Sequence, residues 1–211
     1  MIDEAICPNI QYSNSVFSRK HSPNGYESYK SFKPWIRDEF WFRCLYCLAR
    51  EAWSISGHRS FSIDHVVAQK SDPTQINSYD NLVYSCLWCN SAKRNVDIED
   101  PVNEPFGRHL KILETGHVEC KTDVGFVINE LLFLNEPERV KCRRKGLVIA
   151  ELLRREPDAN EIRELYLDWF GFPEDIPDLE VLRPPSGNAK LGSEFLSVYA
   201  RKQRDELGEV Y

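Results

Sequence analysis

The chain has 211 residues, 42% of them apolar, and a formal net charge of −6. That length and apolar share suit one substantial domain, or a small core domain with an accessory part. Residues 1–30 are polar, are broken by Pro8, Pro23 and Gly25, and hold no apolar run of the signal-peptide kind. No stretch reaches the roughly 18–20 apolar residues that span a bilayer, so a cytoplasmic protein with no membrane partner is expected.

Residues 1–29 read as an irregular segment anchored by Tyr12, Phe17, Tyr26 and Tyr29. Pro34 suits the start of a short helix, Trp35 to Phe42. Arg59 to Val67 alternates small polar and apolar residues and reads as a strand. Gly57-His58 before it resembles a hairpin turn, which makes Glu51 to Ile55 the expected partner strand. Residues 68–80 form a loop with Asp72-Pro73, and a helix runs from about Leu87 to Arg94. Asp100-Pro101 and Glu104-Pro105 mark a connection. A hairpin follows, His109 to Leu113 with Val118 to Cys120, around Thr115-Gly116.

Three helices complete the chain. Pro137 opens the first, over Glu138 to Arg155. Ile162, Leu165, Tyr166 and Trp169 fall on one face of the second, and Leu191, Phe195, Val198 and Tyr199 repeat that pattern in the third. The expected fold class is α+β, divided as 1–29, 30–100 and 101–211, with the last part a hairpin plus helices packed on the middle one.

Charge follows that division. Residues 30–96 carry 9 Lys and Arg against 6 Asp and Glu, whereas residues 151–211 carry 8 against 14. The central segment is therefore mildly basic, a modest electrostatic footprint for nucleic acid. The acidic end faces solvent or a basic partner.

Seven cysteines in a chain without an export signal favour metal over disulfides. Cys44-Leu45-Tyr46-Cys47 and Cys86-Leu87-Trp88-Cys89 are two C-x-x-C knuckles able to close four thiolates on one zinc. Four protein ligands leave no open position, so that zinc is structural. The 38 residues between the knuckles exceed the roughly 15–20 of a plain zinc ribbon, as an intervening strand and active-site loop require. Cys7, Cys120 and Cys142 have no partner at short spacing and read as ordinary thiols.

Between and beside the knuckles lie residues suited to phosphodiester hydrolysis. His65 is the candidate general base, since its ordinary pKa lies near neutrality. Asp64 and the carboxamide of Asn90 offer hard oxygens to magnesium or manganese. Asp64 and His65 can serve one site only if the strand twists or ends there. Lys93 and Arg94, three and four residues after Asn90, share its helical face and are placed to meet phosphate. Asn81 can hold the preceding loop by bonding backbone. His58, His109 and His117 lack such a context.

The run Cys44-x-x-Cys47, Ile63-Asp64-His65, Tyr79-Asp80-Asn81-Leu82 and Cys86-x-x-Cys89-Asn90-x-x-Lys93 resembles the HNH endonucleases. The resemblance covers about residues 35–96. It implies a ββα-metal core buttressed by a four-cysteine zinc, with His65 as base, Asp64 and Asn90 as ligands of a catalytic divalent ion, and Asn81 as a holding residue. Asn90 stands where other members have His. Residues Tyr29 to Phe42 and Leu134-Asn135-x-Pro137-Glu138-Arg139-Val140 are similar to bacterial HNH proteins of restriction, phage-defence or mobile-element type.

The implied activity is metal-dependent cleavage of DNA to 5′-phosphate and 3′-hydroxyl ends. The acidic helical half is then expected to dock on a partner protein of a defence system. Two alternatives stay open at this point: a zinc-stabilised nucleic-acid-binding or assembly module, inactive or activated by a partner, and cleavage of RNA.

Overall fold

The computed structural model describes residues 10–190 and 196–211, so Cys7, Leu191 and Phe195 lie outside the described residues. The fold is α+β: two small antiparallel sheets amid helices, with a ββα unit at the centre. Among the described residues no helix is long and apolar enough to cross a membrane.

Helix α1 spans Lys33–Glu39, with Pro34 in its first turn as its fixed φ favours. It stops because Trp41 and Phe42 take left-handed φ values of 54° and 56°, which swing the chain into the first knuckle. Its C-terminal acids are buried and paired. Asp38 accepts from His21 Nε2 at 2.8 Å, and Glu39 accepts from the Tyr79 hydroxyl at 2.9 Å. Arg37 meets Glu51 with two bonds, Nε to Oε1 at 2.7 Å and Nη2 to Oε2 at 2.8 Å.

That pair corrects one sequence expectation. Glu51–Trp53 is a short 3-10 turn and Gly57–Ser60 another, so neither a strand nor a hairpin turn lies there. Strand β1, Phe61–His65, pairs antiparallel with β2, Leu82–Cys86, in the register Phe61 to Cys86 and His65 to Leu82. Glu51 is held inward by Arg37 and by the Tyr84 hydroxyl, so its segment cannot extend along β1. The true partner is less visible in sequence because Leu82, Val83 and Tyr84 are all buried, leaving β2 without polar alternation. Helix α2, Leu87–Lys93, leaves β2 without a loop and packs back on both strands.

The remaining elements wrap this unit. Strands β3, Leu110–Ile112, and β4, Val118–Cys120, form the expected hairpin, turned at Gly116 with φ 84°. A side chain at Gly116 would also meet the Val140 carbonyl at 2.5 Å. Helix α3, Asp123–Leu132, has no counterpart among the elements expected from sequence. Thr122 caps it by accepting from Gly125 N–H, and Gly125 lets it approach β3, since a Cβ there would lie 2.3 Å from the His109 carbonyl oxygen. Helices α4, Pro137–Arg155, α5, Asn160–Phe170, and α6, Val198–Gln203, follow. Trp53 stacks on Trp169 of α5 and donates to its carbonyl at 2.9 Å, joining the helical part to the centre. One apolar cluster runs through these parts, from Ile10 to Leu179.

Candidate active site

The two knuckles converge. Cys44 N–H donates to the Ala49 carbonyl and Leu48 N–H to that of Cys44, with Leu48 left-handed at φ 61°, which folds the first pair of thiols together. In the second, Cys86 is the N-cap of α2 and its Sγ accepts from Cys89 N–H. All four sulfurs lie within 4.8 Å of one another, and Cys47 and Cys86 are 3.7 Å apart. A tetrahedron with zinc–sulfur bonds of about 2.3 Å has an edge of about 3.8 Å, so the cluster fits zinc. Burial pushes the Cys44 and Cys89 thiols up, while hydrogen bonds from the other three pull Cys47 down. A bound divalent ion would hold all four as thiolates. Arg139 of α4 donates to Cys89 Sγ at 3.1 Å and lies over the Trp88 ring, a cation beside the anionic cluster.

His65 ends β1. Its Nε2 lies 3.0 Å from the Ile76 carbonyl, which can only accept, so Nε2 carries the proton. Nδ1 is then the basic nitrogen, and the exposed Gln69 carboxamide donates to it at 3.2 Å. Tyr29 presses edge-on against the ring, centroids 4.8 Å apart. Burial pushes the imidazole down, against the opposing pull of the Ile76 carbonyl and Asp64.

Asp64 points to the inner face. Oδ1 accepts from His65 N–H at 2.8 Å and Oδ2 from the Tyr46 hydroxyl at 2.8 Å. Burial pushes its carboxyl up, opposed by the ammonium of Lys93 and the Tyr46 hydroxyl. Ser62, two residues earlier, shares the Asp64 face of the strand. Asn90 Nδ2 donates to Ser62 Oγ at 2.7 Å and to the Ile63 carbonyl at 3.3 Å. The Asn90 carboxamide is thus set beside the Asp64 peptide, with Oδ1 as the end that Ser62 and Ile63 leave unengaged. The donor set is a carboxylate with lone pairs to spare and a carboxamide oxygen. It fits a hard divalent ion of the magnesium kind, which keeps several waters and takes one or two protein oxygens.

Two sequence expectations change here. Lys93 does not face solvent: it is wholly buried, and Nζ donates to the His65 carbonyl at 2.7 Å while lying 3.7 Å from Asp64 Oδ2. The acid of Asp64 and the strand-end carbonyl draw it inward. Arg94 is exposed but lies past the end of α2, at φ 52°, so it does not continue the Asn90 face.

Asn81 is buried and clamps the loop that follows His65. Its Oδ1 accepts from Val67 N–H, and its Nδ2 donates to the Val67 and Gln75 carbonyls. In sequence Tyr46, Tyr29 and Arg139 read only as a knuckle residue, an aromatic anchor and part of the downstream similarity, and neither they nor Gln69 has a site role there. Only Gln69, four residues after His65, carried a local signal; the others reach the site from distant positions. His58, His109 and His117 pair with Asp175, Thr122 and Thr115, away from this constellation.

Comparison with known proteins bears on the same residues. Residues 44–95 match the HNH endonuclease family. The matched HNH stretch holds all four cysteines with Asp64, His65, Asn81, Asn90, Lys93 and Arg94, and leaves Tyr29 and Arg139 outside. No curated protein and no solved structure matches the chain.

Proposed function

We propose that the protein is a metal-dependent DNA endonuclease, of the kind that serves restriction or phage defence. The observation that carries this reading is the hydrogen bonding of His65, whose Nε2 is committed to the Ile76 carbonyl so that Nδ1, met by the exposed Gln69 carboxamide, is left as the basic nitrogen. His65 Nδ1 takes a proton from water once Gln69 swings clear. The water oxygen bonds to phosphorus, the bond from phosphorus to the 3′ oxygen breaks, and that oxygen is protonated from solvent. The products are 5′-phosphate and 3′-hydroxyl ends. Asp64 and Asn90 would hold a magnesium or manganese ion, which neutralises charge on the phosphate and the departing oxygen. Asn81 and Lys93 position the loop and the His65 carbonyl; Arg94 and the mildly basic central segment meet the DNA backbone. The acidic helical half docks on a partner protein.

Inward-turned Asp64 and buried Lys93 favour a second reading, a zinc-stabilised nucleic-acid-binding or assembly module that cuts only with a partner, if at all. Labelled DNA and RNA duplexes of one sequence, incubated with zinc-loaded protein and Mn2+, separate the readings. Ligatable 5′-phosphate ends on DNA are expected. Cutting of RNA alone would replace the substrate class, and binding without cutting would favour the module.

A further inference from the structure

Tyr46 sits between Cys44 and Cys47, and its ring is wholly buried. A buried phenol needs a partner for its O–H. Here the partner is Asp64 Oδ2, at 2.8 Å. The main chain around the ring is held on each side. Leu45 N–H donates to the Tyr84 carbonyl, the Tyr46 carbonyl accepts from the Tyr12 hydroxyl, and both flanking cysteines run into the four-sulfur cluster. The position of the hydroxyl is therefore set by the knuckle.

The second oxygen of Asp64 accepts from His65 N–H. One carboxylate thus joins the zinc knuckle to the peptide of the candidate base. The Lys93 ammonium, 3.7 Å from Oδ2, is the competing partner for the same oxygen.

We propose that Tyr46 is a positioning residue that couples the zinc knuckle to the cation-holding carboxylate of Asp64, an inference that rests on the cation reading above. Its O–H fixes the rotation of the carboxylate before a cation arrives and keeps Oδ2 from closing on Lys93. An ionised carboxylate has about four lone-pair sites, so the two hydrogen bonds orient it without filling it.

The test is Mn2+ binding without DNA, followed by loss of the free-ion EPR signal, on zinc-loaded wild type and Tyr46→Phe. The phenylalanine keeps the ring and its packing. Wild type is expected to bind Mn2+ beyond its zinc, and Tyr46→Phe, at equal zinc content, to bind about 10-fold or more weakly, the scale on which partners of metal ligands act. Equal affinity in the two proteins overturns the role of Tyr46 alone. No Mn2+ binding by wild type overturns both this role and the cation reading beneath it. Should Tyr46→Phe lose its zinc, 3-fluorotyrosine placed at position 46 decides: its 19F resonance is expected to move on adding Mg2+, and an unmoved resonance at saturating Mg2+ overturns the coupling.

Discussion

Asn81 holds Val67 by both of its backbone groups, accepting from the N–H at 2.8 Å and donating to the carbonyl at 3.1 Å. The same carboxamide reaches the Gln75 carbonyl, next to the Ile76 carbonyl that orients His65. A buried side chain thereby helps hold the loop whose carbonyl meets the His65 ring. Asn81→Ala leaves the part-buried Val67 N–H without its partner, at a cost of about 1 kcal/mol. We expect cleavage to fall by at least about 10-fold with zinc content unchanged. Zinc assay and single-turnover kinetics on one preparation check it; unchanged turnover would remove Asn81 from the positioning of His65.

Zinc should be inseparable from the fold. The cluster ties the first knuckle to the N-terminus of α2, and three of its four cysteines are buried. Cys86→Ser is expected to lose zinc and the cooperative unfolding transition together, since structural zinc contributes folding energy directly. A cooperatively folded, zinc-free variant would contradict this.

Arg139 offers a test of how α4 supports that site. A tetrathiolate zinc is anionic, and the guanidinium on Cys89 Sγ offsets its charge. Arg139→Gln should release zinc to a chelator about 10-fold faster or more, and Arg139→Lys should recover part of the loss. Identical release rates in all three proteins would make the contact incidental.

The Arg37–Glu51 pair joins α1 to the turn after the first knuckle, and Tyr84 of β2 adds its hydroxyl. Glu51→Ala strands a buried guanidinium. Breaking such a pair costs about 3–5 kcal/mol, so denaturant unfolding should show a loss of that size. A loss under about 1 kcal/mol would mean that Asp175, which also meets Arg37, suffices.

Features carried by local sequence were legible. Cysteine spacing, Pro34 at the head of α1, the Gly116 turn and the α2 helix each depend on a few neighbouring residues. Partnerships set across the fold were not. Burial on both faces removes alternation from strand β2, and Glu51 reads as strand because its partner Arg37 lies outside the local window. Helix α3 was hidden by Gly125 and the β-branched Val124, Val127 and Ile128, which weaken a helical reading. Lys93 lies three residues from Asn90 as counted, yet the His65 carbonyl and Asp64 turn it into the core. The four-cysteine cluster is legible from its spacing, whereas the Tyr46 hydroxyl inside it that reaches Asp64 is not.

His65 is proposed as the base of a metal-dependent nuclease. The most direct measurement sets wild type against His65→Ala, at equal zinc content, on supercoiled plasmid with Mg2+ or Mn2+ and with EDTA as control. Nicking or linearisation by wild type that EDTA abolishes and His65→Ala lacks is expected. Metal-dependent cutting that survives in His65→Ala would contradict it.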